Sequence, residues 1–338
     1  MSYRAFIASC SGLSLTEAER RFFAESRPCG LILFARNCES PDQIRRLTDD
    51  FKTLAGSDAL ILIDQEGGRV QRLKPPHWRQ MPPARKYGAL YAKDAELGRK
   101  AAFYGARLIA EELQPLGITV NCTPVLDVPQ PGAHEIIGDR AYGSDPETIA
   151  NLGRAVMDGY LAGGILPVIK HVPGHGRALA DSHLSLPRID ANAEELAATD
   201  FKPFQALKDA PLAMTAHVLL PAFDSHRPAS ISPVIMAEVI RKTIGLTGLV
   251  MCDDLGMKAL SGTMAEKAAA AIAAGCDVAL HCSGVLSEME EAAGAVPLLE
   301  GEAAARFSAA VDKLHAPEPF DRAEAMALLG EVEARPVA

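Results

Sequence analysis

The chain contains no CxxC pair, no HxH doublet, no long apolar run and no linker rich in proline, glycine or serine. Each absence excludes a class of protein. Seven cysteines, at Cys10, Cys29, Cys38, Cys122, Cys252, Cys276 and Cys282, are odd in number and scattered. That spacing predicts reduced thiols in a cytoplasmic protein and excludes a disulfide framework or a zinc ribbon. No apolar run approaches the ~18 residues of a membrane helix, so no membrane partner is expected. The segment Ile7-Ala8-Ser9-Cys10 has the form of a lipidation box. The apolar stretch before it, however, is far short of the ~7–15 residues of a signal core. Positive charge is in deficit, with 34 Lys and Arg against 43 Asp and Glu and a net charge of −9. That balance argues against nucleic acid as a partner. Without a linker, residues 1–338 are expected to form a single catalytic domain, and the protein is expected to be a monomer.

What the chain does contain is a repeated alternation. Eight short apolar runs recur at 5–9, 30–35, 59–64, 118–122, 166–170, 211–217, 248–253 and 277–282. They are too short and too continuously apolar for surface helices and predict strands buried on both faces. Helical segments lie between them. In "DAELGRKAAFYGARLIAEELQPLG", Leu97, Ala101, Leu108, Ile109 and Leu113 share one face, and Gly117 stands where the helix should end. In "SPVIMAEVIRKTIG", Ser232 is the expected N-cap, with Pro233 at the first helical position. The fold class is therefore α/β, a single (β/α)8 TIM-type barrel, with residues from about 300 to 338 as a C-terminal helical tail. A doubly wound sheet is the alternative, disfavoured because no glycine-rich dinucleotide fingerprint follows the first strand.

A barrel places function at the C-terminal ends of its strands. Polar residues gather there: Arg36 and Asn37, Asp64 and Glu66, Asp127, Lys170 and His171, His217, Asp253 and Asp254, and His281. Singly, each could cap or anchor a loop. Together they predict a ring-shaped polar site. The stretch "VIKHVPGHGRALADSHLSLP", residues 168–187, adds three histidines in twenty positions. A metal centre would want a compact ligand set. Here Pro173 and Gly174 break any helix that would align His171 with His175, so no bound metal is expected. The other reading pairs an acid with a carboxylate. Asp181 lies two residues before His183 and could accept its Nδ1–H, favouring the protonated imidazole as a general acid. Asp253, just past a buried strand, is placed as a nucleophilic or charge-stabilising carboxylate. Glycoside cleavage through an oxocarbenium-like state needs that combination.

"LIDQEGGRVQRL", "IIGDRAYG", "KHVPGHG", "ADSHLSLP", "PAS" and "CDDLGM", in order over roughly residues 30 to 283, resemble the glycoside hydrolase family 3 β-N-acetylhexosaminidases. The resemblance is greatest to the bacterial cytosolic β-N-acetylglucosaminidases of peptidoglycan recycling. It implies a retaining double displacement with no cofactor, acting on a saccharide or muropeptide. Asp253 then corresponds to the nucleophile, His183 to the acid/base and Asp181 to its partner. Asp64, Arg72, Arg140, Lys170 and His171 correspond to positions that hold sugar hydroxyls or neighbouring polar groups. Asp254, Glu66 and His175 are expected to support the site, and Gly174 and Gly176 to let the segment carrying His183 move.

Three residues depart from the family pattern: Val172 replaces an aromatic, and Cys252 and Gly256 replace serines. They leave the preference of the acyl pocket open. A family 3 β-glucosidase, a β-N-acetylglucosaminide phosphorylase and a non-catalytic sugar-binding barrel are the alternatives. Retention of Asp181, His183 and Asp253 argues against the last.

Overall fold

Every one of the apolar runs becomes a strand, because a parallel sheet covered on both faces wants continuous aliphatic side chains. The computed structural model describes residues 2–182 and 184–336. Its strands are β1 (Arg4–Ala8), β2 (Pro28–Leu33), β3 (Leu60–Ile63), β4 (Gln65–Gly67), β5 (Val70–Gln71), β6 (Val120–Asn121), β7 (Leu166–Val172), β8 (Leu212–Thr215), β9 (Leu249–Met251) and β10 (Ala279–Leu280). Eight of them form one parallel sheet in the order β10-β1-β2-β3-β6-β7-β8-β9. A parallel bridge from Met251 to Val278 brings β9 beside the start of β10 and closes the ring. The Cys252 N–H donates to the Val278 carbonyl there at 3.2 Å. The architecture is the (β/α)8 barrel, and closure rules out the doubly wound sheet.

The helices wrap the barrel with their predicted faces inward. In the helix Ala95–Leu113, Ala101, Leu108, Ile109 and Leu113 are buried and Leu97 is only partly covered. Asp94 caps this helix by accepting from the Leu97 N–H at 3.0 Å. Gly117 ends the segment at φ 74°, a left-handed conformation that glycine adopts without a Cβ penalty. The neighbouring helix Pro146–Ala162 lies so close that a Cβ at Gly159 would strike the Phe103 carbonyl. Ser232 caps as expected, its Oγ accepting from the Ile235 N–H at 3.2 Å. The helix it starts is wound as a π-helix over Ile235–Ile244, which the sequence pattern does not disclose.

Past the last strand, helices occupy Leu286–Gly294, Gly301–Val311 and Arg322–Glu333. The last packs on Ala95–Leu113, where Arg322 meets Glu111 at 3.1 Å and Glu324 pairs with Lys100. No described helix is long and apolar enough to cross a membrane.

One element was not anticipated. β4 and β5 form a small antiparallel hairpin beyond β3. Its turn is Gly68-Arg69, entered from Gly67, with the two glycines at φ 96° and 58°, and glycines at such a tight reversal are a hairpin signature. The hairpin carries Glu66, Arg69 and Arg72 to the mouth of the barrel.

Candidate active site

At the C-terminal ends of the strands lies a cleft of about 370 Å³. Phe34, Asp64, Glu66, Arg69, Arg72, Ile136, Arg140, Lys170, His171, Met214, Asp253, Asp254 and Met257 are among the residues lining it.

Its floor is a cluster of opposite charges. Lys170, at the end of β7, reaches Asp64 at 2.8 Å and Glu66 at 2.7 Å. Arg140 grips Glu66 with two bonds of 2.8 Å, a bidentate arrangement that fixes both planes. Arg72 holds the other oxygen of Asp64 at 3.0 Å and lies over the Phe34 ring at 5.1 Å. Burial alone would raise both carboxyl pKa values, but the adjacent cations outweigh it. Glu66 is lowered to about 2, and Asp64 falls well below the carboxylate range. Burial would likewise discharge Lys170, yet Asp64 and Glu66 hold its pKa above the ordinary lysine value. The cluster stays charged at any physiological pH.

Beside it, a fully buried carboxylate orients the imidazole. Asp127 Oδ2 accepts from His171 Nδ1 at 2.7 Å, and its Oδ1 accepts from the His175 N–H at 2.7 Å. Burial pushes Asp127 up, the His171 charge pulls it down, and the net direction is down. A carboxylate only accepts, so His171 carries a proton on Nδ1 and turns Nε2 away from Asp127. His175 itself is buried, its Nε2 lying 3.3 Å from Ser182 Oγ. Burial lowers the His175 pKa to about 4, against the opposing pull of Asp127.

Across the cleft, β9 ends in two aspartates with different surroundings. Asp254 is committed to the fold: its Oδ1 accepts from the Gly256 N–H at 3.0 Å and the Cys282 N–H at 2.9 Å. Its carbonyl lies 3.0 Å from His217 Nε2. Asp253 accepts one backbone N–H, that of Asp254 at 2.8 Å, and faces the cleft. Gly256, where the family pattern favours serine, is tight. A Cβ there would come within 3.0 Å of Asp254 Oδ2. Among the described residues, no group of three or more His, Cys, Asp or Glu is placed to hold a metal ion.

Comparison with known proteins agrees with this geometry. The pattern of the glycosyl hydrolase family 3 N-terminal domain matches residues 9–316. The β-hexosaminidase of Methylobacillus flagellatus is 38% identical over 276 residues, covering 80% of this chain and 78% of that protein. That of Alkalilimnicola ehrlichii is 40% identical over 276 residues, with the same coverage of 80% and 78%. The chain belongs to the family 3 glycoside hydrolases, among their β-N-acetylhexosaminidases. The crystal structure of NagZ from Neisseria gonorrhoeae matches with a TM-score of 0.87 at 30% identity, covering 99% of both chains. Its complex with N-trifluoroacetyl-D-glucosamine matches at 0.86 and 30%, covering 98% of this chain and 97% of that one.

In this family 3 enzyme the sequence candidates divide into three groups. Asp64, Arg72, Arg140, Lys170, His171 and Asp253 meet in the one cleft. Asp181 is half-buried and does not line it, and His183 lies outside the described residues. Arg36, Asn37, His217 and His281 stand back from the cleft as loop anchors. Arg36, for example, donates to Ser9 Oγ and the Cys282 carbonyl, both at 2.6 Å. Glu66, read from sequence as shaping its loop, also lines the cleft and clamps two cations.

The two glycines of "PGHG" each have a local reason to be glycine. Gly174 sits at φ 136°. Gly176 lies against Val128, where a Cβ would collide with the backbone, so close packing requires a glycine there. Sequence reasoning missed Arg69, which donates to the Glu135 and Ile136 carbonyls at 2.7 Å and ties the hairpin to the loop bearing Arg140. The paired glycines before it were the available signal.

Proposed function

We propose that the protein is a retaining exo-β-N-acetylglucosaminidase of the cytoplasm. Its substrate class would be peptidoglycan fragments ending in β-1,4-linked N-acetylglucosamine, such as N-acetylglucosaminyl-1,6-anhydro-N-acetylmuramic acid with or without its peptide. One observation carries this reading. Asp253 shares a small cleft with a fixed cluster of hydrogen-bonding charges, and the other carboxyls in and behind the cleft are held ionised. The usual second carboxylic acid of a glycosidase is therefore missing, and the proton must come from elsewhere. The Asp181–His183 pair is the source the sequence offers.

In this mechanism Asp64, Arg72, Arg140, Lys170 and His171 bind the sugar hydroxyls and fix the ring. Asp253 attacks the anomeric carbon. As the glycosidic bond breaks, its electron pair passes to the leaving oxygen, which takes a proton from His183. Asp181 accepts the His183 Nδ1–H and stabilises the imidazolium, an assistance worth ~10²–10⁴-fold in general acid catalysis. In the second half, His183 removes a proton from water and the water displaces Asp253. Two inversions return the β configuration. The bound N-trifluoroacetyl-D-glucosamine of the Neisseria gonorrhoeae relative supports an N-acylglucosamine at this site.

The test is product analysis from that muropeptide disaccharide by mass spectrometry and proton NMR. The reading expects N-acetylglucosamine released first as the β-anomer, unchanged by phosphate. A first-formed α-anomer would mean inversion, and N-acetylglucosamine 1-phosphate in phosphate buffer would mean phosphorolysis. An intact disaccharide would end the peptidoglycan assignment.

A further inference from the structure

The segment after the turn that follows β7 carries large apolar side chains in solvent. Leu179 is 72% exposed and Leu184 is 67% exposed. Between them Ser182 is 3% exposed, an inversion of the usual order for a loop. Its two polar ends are held by two different elements. The hydroxyl lies 3.3 Å from Nε2 of His175 in the turn after β7, and the carbonyl accepts from the Ala259 N–H at 3.2 Å. Ala259 belongs to the loop that follows β9 and begins with Asp253. The His175 backbone is in turn tied to Asp127, which orients His171. A continuous path of hydrogen bonds thus runs from a sugar-binding imidazole to the residue between Asp181 and His183.

We propose that Ser182 and His175 are positioning residues, a pin that sets the loop bearing the acid against the turn after β7 and the loop bearing the nucleophile. The inference rests on His183 as the acid/base. The chemistry of the pin fits its surroundings. His175 Nδ1 is buried without a hydrogen-bond partner. The tautomer with its hydrogen on Nε2 leaves only a lone pair there and donates to Ser182 Oγ. Ser182 is the smallest residue that can accept such a bond while its carbonyl serves the second loop. Neither side chain lines the cleft, so neither acts on the sugar directly.

The experiment compares the intact enzyme with Ser182→Ala, His175→Gln and the double variant. The first readout is kcat/KM on the natural disaccharide and on a dinitrophenyl N-acetylglucosaminide. The second is hydrogen exchange across 177–189. Loss of one neutral hydrogen bond predicts a fall of about 3- to 10-fold on the disaccharide. The dinitrophenyl glycoside, whose leaving group needs no proton, should change less than about 2-fold. Because the two groups share one contact, the double variant should be no worse than the poorer single. Exchange in 177–189 should rise in all three variants and stay unchanged in β7. Losses that multiply in the double variant, equal losses on both substrates, or unchanged exchange in Ser182→Ala would each overturn the pin. Should the wild type fail to cleave any N-acetylglucosaminide, the functional reading fails, and the exchange data still decide the pin on their own.

Discussion

Asp64, Glu66, Arg72 and Lys170 stand on strand ends or on the short hairpin beside them, Arg140 on the loop tied to that hairpin, each answered by an opposite charge within 3.0 Å. The segment 177–189, by contrast, is tied down at its ends, by Arg177 to Asp200 at 2.7 Å and by the Ile189 N–H to the Leu219 carbonyl at 3.0 Å. Between them it is held by the buried Ser182, while Leu179 and Leu184 stand in water. The difference follows from what each region must do. In the proposed mechanism the charged cluster binds the sugar in ground state and transition state alike and gains from a rigid scaffold. In that mechanism the proton donor must meet a leaving oxygen that exists only when substrate is bound, which suits a loop rather than a strand end. The comparison teaches where substitutions should cost stability and where they should cost only rate.

The largest rate effect belongs to the carboxylate facing the cleft. Asp253→Asn keeps the shape and loses the charge, so kcat/KM should fall on the order of 10⁴-fold or more while the thermal melt is preserved. A fall below about 10-fold, against the range expected of an essential group, would move the nucleophile elsewhere. Next comes the loop. His183→Ala should cost ~10²–10⁴-fold on the disaccharide and far less on a dinitrophenyl glycoside, with Asp181→Asn following the same pattern more weakly. Equal losses on both substrates would remove His183 from the proton transfer.

The floor should respond in stability instead. Lys170 is 2% exposed, and Lys170→Met would leave Asp64 and Glu66 short of a buried counter-charge. Removing one partner of a buried pair costs about 3–5 kcal/mol, readable in urea denaturation. A loss under about 1 kcal/mol, the range of an exposed pair, would mean that Arg72 and Arg140 already suffice.

A smaller effect separates the regions by pH. His175 is held down to about 4 from an ordinary 6.5, so the unfolded chain binds its proton first as the pH falls. Its contribution is complete above ~6.5 and is lost progressively toward about 4, a loss of up to ~3 kcal/mol. Buried His217, also shifted down, adds in the same direction. Asp64 and Glu66 are depressed carboxylates, so their share persists above the unfolded carboxylate range and disappears only at more acidic pH. Urea melts at pH 7 and 4.5 should therefore show a loss that His175→Gln reduces. An identical loss in the variant would remove His175 as its source. The smallest effect is expected from a strong chelator, which should leave activity unchanged. Loss restored by zinc would return a metal to the mechanism.

Much of this was legible because local sequence and burial coincide. All eight barrel strands are buried on both faces, so each reads as an uninterrupted apolar run, and function falls at their ends by the geometry of the barrel. Asp64, Lys170, His171 and Asp253 follow from that placement together with the family motifs. What escaped depends on contacts between segments distant in sequence. Glu66 faces Arg140 across 74 positions, and Asp127 finds His171 across 44. No periodicity encodes either pairing. The role of Gly176 is hidden for the same reason, since only the folded barrel brings Val128 against it.

The most direct test of the central claim is covalent. A 2-fluoro or 5-fluoro glycosyl donor should trap a glycosyl-enzyme, and peptide mass spectrometry should find the sugar on Asp253, with the adduct absent from Asp253→Asn. Label on Asp254, on any glutamate, or on no residue at all while the donor is turned over would contradict the account.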